Sequence, residues 1–320
     1  MNIVILEGCV NNPGDLSWDA LSQFGQVTVY DRTSRDELAE RVAEAEVAVS
    51  SKVRWDAEAL SWAPNLKMIA LTSTGFNVVD LDAARERGVV VSNVPAYSTP
   101  DVAQMTFALL LELCLHVGEH SELVMDGDWT RAKDFSFWKT PLIELQGKTL
   151  GIVGMGSIGQ AVARIARAFG MPVVFANHRP KPEAEGDGIR QVPLDELLTM
   201  ADFVSLHVPA TPETNNMMNA ETLARMKDGA MLINTARGTL VDEQAVVNAL
   251  HSGKLAGFAA DVVSEEPMSP DNPLLQAKGE NIVVTPHIAW ATHEARERLL
   301  SVVAANVSAF VEGKPQNVVD

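Results

Sequence analysis

The stretch "KTLGIVGMGSIGQAVARIARAFG", residues 148–170, restricts the possible folds more than any other part of the chain. An apolar run over 148–154 leads into Gly154-x-Gly156-x-x-Gly159, after which Ile158, Val162, Ile165 and Phe169 recur on one helical face. A strand that turns into a helix through three glycines is the first half of a βαβ unit, and implies a parallel sheet covered by helices. In such a turn Gly154 makes the bend, Gly156 admits a pyrophosphate to the backbone, and Gly159 lets helix and strand pack closely. The N–H groups at the helix start, aided by the helix dipole, then hold the diphosphate of a dinucleotide.

The rest of the chain fits two sheets of this kind. Short β-type runs fall at 2–6, 27–30, 47–50, 66–71 and 89–93, with helical patterns at 35–45 and 80–87 among them. A second series falls at 148–154, 172–176, 202–208, 230–235, 257–262 and 281–287. Between the series runs "STPDVAQMTFALLLELCLHV", with Thr99 as helix cap and Pro100 as the first helical residue. This helix is apolar almost all round, so it should be buried between domains or subunits. The stretch 126–140 that follows has four aromatic residues and no clear period, as a functional or interface loop would. A last helix, about 292–312, could return to the first series. We expect an α/β protein with a discontinuous first domain, 1–98 plus 288–320, and a dinucleotide-binding domain, 99–287, inserted in it.

A net charge of −17 argues against nucleic acid or an anionic membrane as partner. It also requires local cations wherever an anionic substrate binds. Cys9 and Cys114 are the only cysteines, and no Cys/His cluster has metal-ligand spacing, so no metal site is expected. The amino terminus has no basic leader, and no run reaches the ~20 apolar residues of a membrane span. A reducing, cytoplasmic setting is expected.

Ligands of open parallel sheets bind beyond the carboxyl ends of the strands. In the second series those ends carry His207, then Arg237 in "INTARG", Asp261 and Glu266 in "AADVVSEEP", and His287 in "VTPHIAW". Arg237 can hold a carboxylate or polarise a carbonyl with paired donors. His287 can exchange a proton with an oxygen that becomes a hydroxyl. Glu266, fixed by the following proline, would orient the ring and keep it protonated for reduction. With a nicotinamide in the glycine-loop domain, the implied reaction turns a 2-oxo acid into a 2-hydroxy acid. His207 fits a packing or cofactor-contact role better than a catalytic one.

The acidic residue that usually binds the adenosine ribose is missing after the second strand of this series, where "ANHRPK" places Asn177, His178 and Arg179. An amide can still bond a ribose hydroxyl and does not repel a 2′-phosphate, which Arg179 and His178 could pair with. The expected cofactor is therefore NAD(H) or NADP(H).

"GIVGMGSIG", "NTARGTLVDEQAV", "GFAADVVSEEP" and "NIVVTPHIAWAT", in this order and spacing, resemble the D-isomer-specific 2-hydroxyacid dehydrogenase family. The likeness extends through "TSTGFNVVDLDAARERGVVVSNVPAYS", and "HIAWAT" and "DFSFWKTPLIEL" resemble its glycerate dehydrogenase (hydroxypyruvate reductase) members. The resemblance implies two Rossmann-like or flavodoxin-like doubly wound domains with the active site in the cleft between them. It implies Arg237, Glu266 and His287 as the catalytic set and Asp261 at the nicotinamide end. Thr235 and Ala236 would line the cofactor, and Met155, Gly156, Ser157 and Ile158 would bind the pyrophosphate through their backbone. Ser73, Thr74 and Gly75 would hold the substrate carboxylate; Ser73 stands where many members have glycine. Trp290, where serine is common, would narrow the pocket for a small substrate. Members of this kind are homodimers, and Trp138 would then either reach the partner's active site or pack its own loop.

The resemblance thus implies NAD(P)H-dependent reduction of hydroxypyruvate or glyoxylate to D-glycerate or glycolate. Two alternatives stay open: a dehydrogenase for another 2-oxo acid, such as D-lactate or phosphoglycerate, and a non-enzymatic dinucleotide sensor of the same fold.

Overall fold

A computed structural model describes residues 1–319, and the chain divides into two compact units, Met1–Ser98 with the stretch from Trp290 onward, and Thr99–Ala289. The return crossing falls two residues later than expected. Ile288 and Ala289 stay with the second unit because both backbone N–H groups donate to the Asp261 carboxylate, at 2.9 and 2.7 Å.

The first unit holds β1 (Asn2–Ile5), β2 (Gln26–Val29), β3 (Val47–Ser50), β4 (Met68–Leu71) and β5 (Val90–Ser92). They form one parallel sheet in the order β2-β1-β3-β4-β5. Alternate residues of a strand point to opposite faces, so an apolar run such as β3 or β4 needs cover on both. On one face Val4, Ala48, Ile69 and Leu71 pack with Leu38, Trp55 and Leu60. On the other, Ile3, Ile5, Val49 and Met68 pack with Leu299, Val303 and Val307 of the helix His293–Val311. Thr292 caps that helix by accepting from the Ala295 N–H. Leu299 is fully buried, and its truncation to alanine should cost ~2–5 kcal/mol. Arg296 of the same helix donates two bonds, 2.7 and 2.6 Å, to the Asp15 carboxylate. These bonds hold the Asp15 carboxyl down at about 2.

The topological switch point of this sheet lies between β1 and β3. There the Glu7 carboxylate accepts from the N–H groups of Ser51, Lys52 and Val53 at 3.1, 2.7 and 2.6 Å. The chain's own carboxylate thus occupies the converging donors that an anionic ligand could otherwise use in this unit.

The second unit holds β6 (Leu150–Val153), β7 (Val173–Ala176), β8 (Ile189–Gln191), β9 (Phe203–Leu206), β10 (Ala230–Asn234), β11 (Leu255–Ala260) and β12 (Ile282–Val284). All run parallel in the order β12-β11-β10-β9-β6-β7-β8. One face packs on the helix Thr99–Leu115, where Phe107, Leu110 and Leu113 join Ile152, Phe175, Phe203 and Ile233. Val204, Leu232, Phe258 and Ala260 face the other core with Leu197, Leu223 and Val246.

Several local expectations need correction. The helix after Ser98 starts at Thr99 itself, so Thr99 is not a residue outside the helix. Phe169 lies one residue past the helix Ser157–Ala168; it is 41% exposed and stacks on Phe107 with ring centroids 5.4 Å apart. β8 escapes the sequence pattern because "IRQ" has no apolar run; it is a short edge strand, seldom buried on two faces. The expected strand to residue 287 ends at Val284, ahead of Pro286, which has no N–H for the ladder, and His287, at φ +55°. The stretch 126–140 has one helical turn, Asp128–Arg131, and leaves Trp129, Phe135 and Trp138 52, 90 and 66% exposed. No single helix among the described residues is long and apolar enough to cross a membrane.

Candidate active site

In the second unit the chain starts at β6, winds outward to β8 and then returns to β9 on the other side of β6. The switch point therefore lies between β6 and β9, the place where α/β sheets bind ligands. Reading across the carboxyl ends from β12 to β7 gives His287, then Asp261 and Glu266, Arg237, His207, the glycine loop and Asn177.

The three glycines are there for different reasons. Gly154 has φ +98°, and a Cβ on it would lie 2.5 Å from the His207 carbonyl oxygen. A Cβ on Gly159 would lie 2.2 Å from the Gly154 oxygen. Both are required by the fold. Gly156 is different: its φ is −73°, and nothing lies within 4 Å of an added Cβ. Neither backbone nor packing demands glycine there, so the open space suits a ligand. Ser157, Ile158 and Gly159 begin a 12-residue helix whose N-cap, Gly156, supplies no side chain. Their N–H groups have no carbonyl earlier in the helix to bond and remain available to an anion.

Met155 departs from the expectation that its N–H serves the pyrophosphate, because that group donates to Asn177 Oδ1 at 3.2 Å. Asn177 is equally occupied, its Nδ2 donating to the Arg179 carbonyl at 3.0 Å. It therefore braces the glycine loop rather than presenting a free amide. Lys181, which no sequence motif singles out, donates from Nζ to the Met155 carbonyl at 2.7 Å. Gln191 of β8 holds this turn from the other side, accepting from Lys181 N at 2.8 Å and donating to Arg179 O at 3.2 Å. His178 and Arg179 are exposed. Neither Arg179 nor Lys181 has a carboxylate within 4.0 Å among the described residues, which is notable at a net charge of −17. The only sequence signal for Lys181 is the cation itself; its aim depends on β8.

At the other end of the row, His287 Nδ1 lies 2.6 Å from Glu266 Oε2, with side chains 36 and 30% exposed. The bond from Nδ1 leaves Nε2 as the nitrogen presented outward. Glu266 Oε1 accepts from the Val263 N–H at 3.3 Å. Asp261 is 1% exposed and accepts from Thr285 Oγ1 at 2.5 Å as well as from Ile288 and Ala289 N–H. Its carboxylate is thus spent on the turn that carries His287, a use its place at a strand end does not reveal.

Arg237 is exposed and has no carboxylate within 4.0 Å among the described residues; its Nη1 donates to its neighbour's carbonyl, Ala236 O, at 2.7 Å. Asn234, buried, shapes its turn by donating to Arg237 O at 2.8 Å and accepting from Ala236 N at 3.1 Å. The Thr235 hydroxyl lies 3.0 Å from Thr106 Oγ1, so it ties the strand end to the helix Thr99–Leu115. His207 is half-buried, with Nε2 2.9 Å from Ser205 Oγ and a buried Nδ1 that has no hydrogen-bond partner. Burial pushes it down to about 3, which keeps it neutral and unsuited to donating protons near neutral pH.

In the first unit, the loop after β4 is held internally: Ser73 Oγ donates to Gly75 O at 2.6 Å and Thr74 Oγ1 to Val94 O at 2.8 Å. Trp138 stands exposed in the irregular stretch of the second unit.

Residues 107–289 match the family model "D-isomer specific 2-hydroxyacid dehydrogenase, NAD binding domain". The chain is 45% identical over its whole length to the whole of a hydroxypyruvate reductase of Blautia hydrogenotrophica. It is 42% identical to a glycerate dehydrogenase of Methylorubrum extorquens, covering 89% of this chain and 88% of that one. Among solved structures, the TT0316 protein of Thermus thermophilus superposes with a TM-score of 0.87 at 41% identity, covering all of both chains.

Proposed function

The chain belongs to the D-isomer specific 2-hydroxyacid dehydrogenase family, and from that premise we propose that it reduces hydroxypyruvate or glyoxylate to D-glycerate or glycolate. The observation that carries this is the 2.6 Å bond from His287 Nδ1 to Glu266. It fixes the imidazole through Nδ1 and leaves Nε2 for the substrate, on the same sheet edge as an open glycine loop and an arginine with no carboxylate partner among the described residues.

Gly156 and the N–H groups of Ser157 and Ile158 would hold the diphosphate of the nicotinamide dinucleotide. When bound, that cofactor supplies the hydride for the carbonyl carbon. Arg237 binds the substrate carboxylate with paired donors and draws charge from the adjacent carbonyl. His287 delivers a proton from Nε2 to the carbonyl oxygen, and in the reverse direction takes it back. Glu266 holds the ring in that orientation throughout. Asp261, through Thr285, Ile288 and Ala289, keeps the histidine's turn in place.

NADP(H) is accepted as well as NAD(H) in this proposal, supported by a neutral Asn177 beside Arg179 and Lys181, cations without carboxylate partners among the described residues. Homodimerisation would cover Met125, Trp129, Phe135 and Trp138, four large apolar side chains left exposed along residues 125–138. A cytoplasmic setting agrees with two free thiols, Cys9 and Cys114. The test is steady-state kinetics with hydroxypyruvate, glyoxylate and pyruvate against NADH and NADPH. A kcat/KM for pyruvate above those for both other acids would refute the substrate assignment.

A further inference from the structure

We propose that Glu243 is a positioning residue for the Glu266–His287 pair, acting as the buried anchor of the segment that carries Glu266. The inference rests on the function proposed above. Glu243 is the first residue of the helix Glu243–His251, yet it does not cap that helix: Asp242 does, accepting from Ala245 N at 3.0 Å. The Glu243 carboxylate is 7% exposed and reaches another part of the chain instead. Oε1 accepts from Ser264 N at 2.7 Å, and Oε2 accepts from Ser264 Oγ at 2.7 Å and Asn272 Nδ2 at 2.9 Å. Asn272 is itself buried and starts the next helical turn by accepting from Leu274 N at 2.9 Å.

Glu266 lies between these two attachment points, in a stretch, 264–267, that is exposed on its outer side. The peptide joining Val263 to Ser264 is also gripped from the side of Arg237. A Cβ on Gly238 would lie 1.9 Å from Val263 C and 2.4 Å from Ser264 N, so the backbone next to Arg237 presses on it directly. One peptide is thus fixed by the arginine turn on one side and by a buried carboxylate on the other. The Val263 N–H then donates to Glu266 Oε1, whose partner oxygen holds His287 Nδ1. A buried carboxylate costs desolvation that an apolar side chain would avoid. Here all its donors come from the single segment whose placement sets the Glu266–His287 geometry.

The test combines Glu243→Ala with Glu266→Gln. Alone, Glu243→Ala should lower kcat for hydroxypyruvate reduction about 10–100-fold, less than the ~10²–10⁴-fold of general acid–base catalysis because the imidazole itself remains, with cofactor Kd changed less than about twofold. It should displace the pH profile of kcat in the same direction as Glu266→Gln does. Added to Glu266→Gln, it should change kcat by less than about threefold, because residues acting through one another are not additive. Unchanged kcat, full additivity, or a loss without displacement of the profile would overturn the proposal. Should Glu243→Ala fail to fold, Asn272→Ala removes one of the three bonds and decides: a smaller loss with the same displacement supports the anchor, and wild-type kinetics overturn it. Wild-type turnover in Glu266→Gln by itself would instead refute the catalytic assignment on which the anchor depends.

Discussion

Gly156→Ala separates what the glycine loop does for folding from what it does for a ligand. The backbone at Gly156 is in the ordinary extended region, and an added methyl meets nothing within 4 Å. An N-cap change of this kind should cost at most about 1 kcal/mol. Gly159→Ala, by contrast, would place its methyl 2.2 Å from a backbone oxygen, and Gly154→Ala would place one at 2.5 Å with φ at +98°. Backbone cannot yield as a side-chain tip can, so each should cost at least the ~1–3 kcal/mol of an overpacked core. If the empty volume over Gly156 belongs to a diphosphate, the methyl removes that ligand's closest approach. A 10–100-fold weaker dinucleotide corresponds to about 1.4–2.7 kcal/mol. Thermal unfolding without ligand and fluorescence titration with NADH and NADPH measure the two effects independently. Gly156→Ala should melt within about 4 °C of wild type, since 1 kcal/mol moves a domain of this size by ~2–4 °C, and should bind cofactor poorly. Tight binding by Gly156→Ala, or unfolding as severe as that of Gly159→Ala, would refute the reasoning.

Other perturbations have equally definite outcomes. Arg179→Ala and Lys181→Ala should each weaken NADPH by several-fold more than NADH, measured by titration; equal effects on both cofactors would mean that neither cation serves a 2′-phosphate. Arg237→Lys should raise KM for the 2-oxo acid and lower kcat, because one ammonium does not replace a planar pair of donors; unchanged kinetics would remove Arg237 from the site. The Asp15 carboxyl, held at about 2 by its bonds from Arg296, contributes stability that is complete above the usual carboxylate range and is lost as pH falls toward 2. Asp15→Asn should therefore flatten the fall in melting temperature between about pH 4 and pH 2; an unchanged slope would contradict that ion pair.

The two parallel sheets are legible because strands buried on both faces are written as unbroken apolar runs, as in β4 and β6. β8 is illegible because an edge strand has no such run. The strand-end position of Arg237, Glu266 and His287 can be read from linear order, since a parallel sheet brings all carboxyl ends to one edge. The use of each carboxylate cannot. Asp261 has the look of a ligand contact, but burial beside three donors from 285–289 commits it to the turn holding His287. Glu243 reads as an acidic residue in a helix's first turn, and its partners lie 21 and 29 residues away, beyond any local pattern. Asn177 reads as a candidate for the ribose, whereas one of its hydrogen bonds braces the glycine loop at Met155 and the other closes its own turn on Arg179. In each case the residue type and its position along a strand are visible. The hydrogen-bond partner depends on packing between elements distant in sequence.

The most direct measurement is made on His287→Ala, comparing single-turnover reduction of hydroxypyruvate with cofactor affinity in the same preparation. Proton delivery from Nε2 predicts that turnover falls by about 10²–10⁴-fold while the dissociation constants for NADH and NADPH stay within about twofold of wild type. Turnover at the wild-type rate would contradict the role given to His287 and, with it, to Glu266.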